Sequence, residues 1–169
     1  MQTSRTIRQT LQLSDSADIQ EHPSPFADSS HQIFMVEDNH DKRVIKVPNP
    51  SNRHASDFWQ WMSTCFDVTL ETQIAQFPQL YPMIEHLSPL RIPALQGQQS
   101  LQDGILLTQT GFLPGRPLTS SDLTDSILQS LARHMAALHQ KTSSVFGDLQ
   151  QNQRHTAQRW MERLRAALA

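Results

Sequence analysis

The stretch that most constrains the fold is Lys42–Pro48, in which valine and isoleucine residues surround a lysine in the middle of a short apolar run. Its β-branched residues favour a strand, because such side chains suit a pleated, half-buried surface. Pro48 cannot donate to a sheet ladder, so the strand ends there or runs along an edge. Lys46 is costly to bury unless an anionic group meets it. The lysine therefore either faces water or marks a site for an anion.

Composition limits the class of protein. A chain of 169 residues is long enough for one domain with a sizeable core. A net charge of −2 provides no basic field, which disfavours nucleic acid as a partner. The single Cys65 excludes an internal disulfide framework and a cysteine-based zinc site. With no apolar run near the roughly 18 residues of a membrane span and no evident signal peptide, we expect a cytoplasmic protein without a membrane partner.

The order of predicted elements places most strands before most helices. A β-hairpin over 31–47 is the clearest unit, with a polar turn between its two strands. A short helix (5–13) and a strand (19–22) precede it, and a further strand spans 105–110. Residues 97–104 read as a polar loop. Helical periodicity marks four further segments, which are 58–65, 70–77, 121–138 and 157–168. The sequence therefore predicts an α+β fold.

Two of these helices have notable apolar faces. In the first, Phe58, Trp61, Met62 and Cys65 fall at helical spacing on one face. Its three adjacent aromatic residues are expected to belong to the core rather than to stack on bases, and they are Phe58, Trp59 and Trp61. In the last, the face around Trp160 needs a partner surface, and it would drive self-association if it were left bare.

Four stretches, taken in this order, resemble the aminoglycoside phosphotransferase and fructosamine kinase families, which share a protein-kinase-like fold. Val44–Val47 looks like the lysine strand of their amino-terminal lobe, and Glu71 stands where those families place the glutamate that pairs with that lysine. Leu106–Leu118 is similar to the strand and hinge between the lobes. Leu131–Gly147 resembles the first long helix of the larger lobe and the turn after it. The resemblance covers roughly residues 18–165.

The resemblance implies a division of the chain and a set of nucleotide contacts. Residues 1–110 would form the kinase-like amino-terminal lobe, 111–118 the hinge, and 119–169 the incomplete beginning of the helical lobe. The families use ATP with magnesium. By analogy Lys46 would bind phosphates, Glu71 would orient Lys46, and the backbone of Thr110, Gly111 and Phe112 would meet the adenine. Ser30 and His31 would stand in the positions of the families' Ser-Asn pair.

The sequence also departs from the families. The loop Phe26–His31 contains no glycine, so backbone amides would lie further from a phosphate. Phe146–Leu149 matches the families' catalytic segment only superficially, because Phe stands where His is expected. Asn152 comes one position too early, and no later metal-binding aspartate follows. We therefore assign neither a catalytic residue, Asp148 included, nor a magnesium ligand, and we expect the chain to stop before the catalytic loop.

Two hypotheses for the function remain open. The first is the amino-terminal portion of an ATP-dependent phosphotransferase, inactive alone. Its substrate would be a hydroxyl of an aminoglycoside-, fructosamine-, sugar- or amino-alcohol-like molecule. The second is a non-catalytic binding or scaffold module with the same small-lobe shape.

Two other kinds of site are not supported by the sequence. A zinc-binding helix is not, because His134 and His139 have the wrong spacing, and a hydrolase nucleophile is not, because no Gly-x-Ser-x-Gly occurs.

Overall fold

A computed structural model describes residues 2–24, 26, 29–49, 56–101, 104–116, 118–140 and 156–168. These residues form six α-helices, five strands and a 3₁₀ turn. The elements in chain order are α1 (Gln2–Thr10), β1 (Asp18–His22), β2 (His31–Asp38), β3 (Asp41–Pro48), α2 (Asp57–Phe66), α3 (Leu70–Ala75), α4 (Phe77–Leu87), β4 (Leu95–Ser100), β5 (Leu106–Gly111), the 3₁₀ turn (Ser120–Asp122), α5 (Asp125–His139) and α6 (Ala157–Leu168). The α+β prediction is confirmed.

The strands form one antiparallel sheet in the order β1-β2-β3-β5-β4. The predicted hairpin is confirmed, with β2 and β3 paired from His31↔Pro48 to Asp38↔Asp41. Asn39 and His40 both have positive φ (50° and 68°), which matches the right-handed twist of the flanking strands. This turn fixes the register, and the register decides which face each side chain occupies.

One face of the sheet is buried by α1 and the segment that follows it. Phe34 and Ile45, which pair across β2 and β3, are both almost fully buried in this cluster. Ile7 from α1 is completely buried against them, and Leu13 and Ala17 continue the cluster. The amino-terminal helix is therefore an integral part of the core.

A second, smaller cluster joins α2 and α3 to β5. Leu70 and Ile74 are buried on one face of α3 and pack with Trp59 and the partly buried Leu106. The start of α3 is fixed by Thr69, whose hydroxyl accepts a hydrogen bond from the Thr72 amide at 3.2 Å, as in a capping box.

The predicted apolar face of α2 is only partly correct. Trp59 and Cys65 are its buried residues. Phe58 is 60% exposed and Trp61 is 44% exposed, so the expectation that both face the core is wrong. The helix is oriented so that Trp59 is buried instead. The Trp59 ring contacts the Phe58 ring edge to face, with 5.1 Å between the ring centroids.

Two elements were not predicted. The strand β4 occupies most of the stretch that reads as a polar loop, because its polar side chains are accommodated at the edge of the sheet. Gln98 of β4 donates a hydrogen bond to the carbonyl of Ile74 at 2.6 Å. The helix α4 contains Pro78 in its first turn and Pro82 in its interior, and two prolines conceal a helix from sequence patterns.

The carboxyl-terminal part consists of α5 and α6. Arg116 and Asp122 form a bidentate ion pair in the segment that leads to α5, which begins after the capping residue Thr124. The Trp160 ring of α6 stacks on the Phe66 ring of α2 with 6.2 Å between the ring centroids, so the apolar face that would drive self-association if left bare is partly covered.

Among the described residues, every helix is too short or too polar to span a lipid bilayer.

Candidate functional site

The sheet face opposite α1 carries the candidate site. Lys46 pairs with Ile33 on β2 and with Thr108 on β5, so these three side chains share that face. Because successive side chains of a strand point to opposite faces of the sheet, every second residue of these strands lies on the same face as Lys46. We call this surface the site face, and its residues are His31, Ile33, Met35, Val44, Lys46, Thr108 and Thr110.

The partner of Lys46 is a tyrosine. Lys46 Nζ donates a hydrogen bond to Tyr81 Oη at 3.1 Å and lies 5.8 Å from the centroid of the Tyr81 ring. Tyr81 belongs to α4, where its ring contacts Phe77 edge to face at 5.5 Å. The lysine is therefore held by a neutral group on α4 through both a hydrogen bond and a cation–π contact.

The expected ion pair between Lys46 and Glu71 is not formed in the described part of the chain. Glu71 lies in the first turn of α3 and is exposed. The reason is the orientation of α3 about its own axis, which directs Leu70 and Ile74 toward the core. Adjacent helical residues point about 100° apart, so burial of Leu70 directs Glu71 away from this core.

Ser30 and His31 lie at the start of β2, next to the lysine. Ser30 Oγ lies 3.0 Å from His31 Nδ1, within hydrogen-bond distance. Burial, with the nearby Lys46 charge as the smaller cause, lowers the pKa of His31 to about 4. His31 Nε2 is buried and has no hydrogen-bond partner among the described residues. His31 is thus a neutral imidazole with one unused hydrogen-bonding nitrogen.

The loop before these residues is only partly described. Asn49 fixes its end, since the Asn49 amide donates to the Ser30 carbonyl at 2.8 Å and its side chain donates to the Ser29 carbonyl at 3.3 Å. Residues 27 and 28, which belong to the glycine-free loop, lie outside the described residues.

The three predicted adenine contacts occupy different environments. The Thr110 side chain is 1% exposed, and its backbone pairs with β3 and β4. The Gly111 amide donates to the Ala94 carbonyl at 2.9 Å, so that donor is already used. Phe112 is the one that opens onto a cavity. This cavity of about 130 Å³ is lined by Asp18, Gln20, Met35, Val36, Glu37, Lys42, Arg43 and Phe112.

The site is therefore an elongated strip of the sheet. Lys46, Tyr81 and His31 lie toward one end, and the Phe112 cavity lies toward the other. Lys42 and Lys46 are four strand residues apart, about 13 Å at the usual rise per residue. Of the predicted residues, His31 lies near Lys46, Ser30 contacts His31 and Phe112 lines the cavity, whereas Glu71 does not form an ion pair with Lys46.

Tyr81 was missed because α4 was not predicted. A Tyr four residues after Phe77, with a proline in the first helical turn, was the available signal. Asp148 lies outside the described residues. Within the described ranges, no group of three His, Cys, Asp or Glu side chains is arranged to hold a metal ion.

Comparison with known proteins identifies the fold but not a family. No protein-family model and no curated protein matches the sequence. A solved structure of a mutant aminoglycoside 2'-phosphotransferase-IIIa, determined as a GDP complex, is similar to the chain, with a TM-score of 0.52 and 17% sequence identity. The similarity covers 83% of this chain and 41% of the other chain. The described sheet and helices thus have the fold of a kinase-like small lobe.

Proposed function

We propose that this chain is the nucleotide-binding lobe of a kinase-type phosphotransferase that acts on a hydroxyl group of a small molecule. The observation that carries the proposal is Lys46, which lies on the site face of a sheet with strand order β1-β2-β3-β5-β4. The aminoglycoside phosphotransferase with the similar fold was solved with GDP, which supports a nucleotide as the ligand. The family resemblance adds ATP, magnesium and an aminoglycoside-, fructosamine-, sugar- or amino-alcohol-like acceptor.

The described residues fit a nucleoside polyphosphate. Lys46 supplies a positive charge, and no described carboxylate forms an ion pair with it. His31 Nε2 is a buried nitrogen without a partner among the described residues, and such an atom calls for a ligand atom or water. We assign the phosphates to Lys46, His31 and Ser30, and the base to the cavity at Phe112. In this assignment Glu71 would not contact the phosphates directly.

Magnesium would neutralise the charge on the transferred phosphoryl group. Among the described residues no group of side chains is arranged to hold this ion, and we therefore assign no magnesium ligand. We retain the division into a lobe (1–110), a hinge (111–118) and the start of a helical lobe (119–169). We also retain a cytoplasmic location as part of the proposal.

A non-catalytic binding module is the second candidate. The mismatch of Phe146–Leu149 to the families' catalytic segment, with Phe where His is expected, favours it, since the lobe would then bind a nucleotide without transferring phosphate. An assay of phosphate transfer in the presence of an added catalytic lobe separates the two candidates. Only a phosphotransferase lobe would then support turnover.

Nucleotide binding is the direct test. Isothermal titration of the full chain with ATP and with GTP should show binding that Lys46→Ala weakens at least tenfold, since a charged phosphate contact contributes about 1.5–3 kcal/mol. Arg5→Ala removes an equal charge from an exposed position of α1, which packs on the opposite face of the sheet, and should leave the affinity unchanged. Equal affinities for Lys46→Ala and the unaltered chain would contradict the proposed site.

We also propose that the chain self-associates through its carboxyl-terminal helices. Leu128, Leu131 and Met135 on α5 are 48%, 40% and 49% exposed, and Met161 on α6 is 39% exposed. Trp160 contributes less than the sequence suggests, because it stacks on Phe66. A row of exposed large apolar side chains on one helix favours burial against a second copy.

A further inference from the structure

We infer that Tyr81 contacts the ligand directly, and that its hydroxyl and the Lys46 ammonium bind the same phosphate as a pair of donors. This inference rests on the proposed function, since it requires a phosphate-bearing ligand at the site face. It goes beyond that function by adding a residue on α4 to a site otherwise built from the sheet.

The direction of the hydrogen bond supports the inference. An ammonium group can only donate, so in the 3.1 Å contact Lys46 Nζ is the donor and Tyr81 Oη is the acceptor. The phenol therefore keeps its own proton for a second hydrogen bond. No described residue accepts that proton. A phosphate oxygen bound to Lys46 lies within reach of the same hydroxyl.

The local charge also favours an anion. Where a lysine is paired with a carboxylate, the partner cancels most of the attraction toward a phosphate. Here the partner is a neutral phenol, and none of the described ion pairs includes Lys46. The neighbouring His31 is neutral as well, because burial, and to a smaller extent the charge of Lys46, lowers its pKa. The full positive charge of Lys46 therefore remains available to a ligand.

The position of Tyr81 is fixed before any ligand arrives. Its ring contacts Phe77 edge to face at 5.5 Å and lies 5.8 Å from the Lys46 ammonium. Phe77 packs against the cluster formed by α2, α3 and β5. A donor that is already oriented costs little conformational entropy when the ligand binds. The pair should thus favour the more highly charged phosphate ligands.

The chain offers a specific probe, because Tyr81 is its single tyrosine. The full chain, labelled with ¹³Cζ-tyrosine, gives one phenol resonance. Titration with tripolyphosphate should move that resonance, and titration calorimetry should give an affinity that rises from inorganic phosphate to pyrophosphate to tripolyphosphate.

Tyr81→Phe is the matched variant, since it keeps the ring over Lys46 and the contact with Phe77 but removes the hydroxyl. It should bind tripolyphosphate about tenfold more weakly or worse, because a hydrogen bond to a charged group is lost. Circular dichroism should show an unchanged fold. Lys46→Met serves as the second variant and should weaken binding further.

The outcomes separate the inference from the proposed function. If Lys46→Met abolishes binding while Tyr81→Phe binds normally and the resonance does not move, the inference is overturned and the proposed function stands. If the unaltered chain binds neither tripolyphosphate nor a nucleotide, both are overturned. A moved resonance together with weaker binding by Tyr81→Phe supports the inference.

Discussion

The carboxylate of Asp38, at the end of β2, accepts two hydrogen bonds from Ser14. The Ser14 hydroxyl lies 2.5 Å from Oδ1, and the Ser14 amide lies 3.2 Å from Oδ2. Arg8 of α1 donates to the carbonyls of Ser14 and Ala17, so the helix, the following loop and the hairpin are tied together. These contacts hold α1 on the sheet face opposite the candidate site.

This anchor predicts a dependence of stability on pH. The hydrogen bonds from the Ser14 hydroxyl and then its amide lower the pKa of Asp38 below its usual value. A lowered carboxyl pKa stabilises the fold above the unfolded-state pKa near 4, and that stability is lost as the pH falls through the folded-state value. Urea unfolding of the unaltered chain and Asp38→Asn should therefore differ at neutral pH and converge below pH 4. A constant difference would contradict the assignment.

His31 acts in the same direction but in a higher pH range. Its folded-state pKa of about 4 lies below the usual 6.5, so the unfolded chain binds more protons between these values. Stability should therefore rise from pH 4 to pH 6.5, by about 3 kcal/mol at most. His31→Gln should flatten this rise in urea titrations, whereas His22→Gln, at an exposed position on β1, should not. An unchanged slope in His31→Gln would argue against the buried neutral imidazole.

The role of α1 in the core is tested by Ile7, which is completely buried. Ile7→Ala should destabilise the chain by about 2–5 kcal/mol, because it removes buried apolar contacts and leaves a cavity. Gln9→Ala, at an exposed position of the same helix, is the control and should change the unfolding free energy by less than about 0.5 kcal/mol. Similar urea midpoints for both variants would mean that α1 does not contribute to the core.

The chain alone should not transfer phosphate at a useful rate. Positioned carboxylates must hold the magnesium that neutralises the phosphoryl group, and position and electrostatics supply nearly all of the rate. The measurement is ATP consumption by the purified 169-residue chain with magnesium and a hydroxylated acceptor. Robust turnover that Asp148→Ala abolishes would show that the segment around Asp148 is catalytic after all.

Self-association should depend on the exposed apolar face of α5. Light scattering of the purified chain should show oligomers that the double variant Leu131→Gln/Met135→Gln reduces toward the monomer mass, because both side chains are at least 40% exposed. Gln129→Ala, at an exposed polar position of the same helix, should leave the mass distribution unchanged. A monomeric unaltered chain would contradict the proposal.

Local sequence patterns predicted the elements whose side chains repeat at a clear period. The β-branched residues around Lys46 predicted β3, and a polar turn at Asn39 predicted the hairpin. Thr69 correctly marked the start of α3. The patterns failed at α4, where prolines fall inside a helix, and at β4, where glutamines occupy a strand. Both elements depend on packing and on hydrogen bonds to distant residues such as Ile74.

The sequence by itself determined that Lys46 would lie on a strand, since the residues beside it favour one and burial of the charge requires a partner. Only the tertiary structure decided which partner that is. A helix presents a different residue every 100° or so, and burial of Leu70 and Ile74 set the rotation of α3 and turned Glu71 away. Tyr81 lies 35 residues beyond Lys46 and reaches it because α4 packs beside the sheet. No local pattern encodes that contact, because it depends on how several elements pack at once.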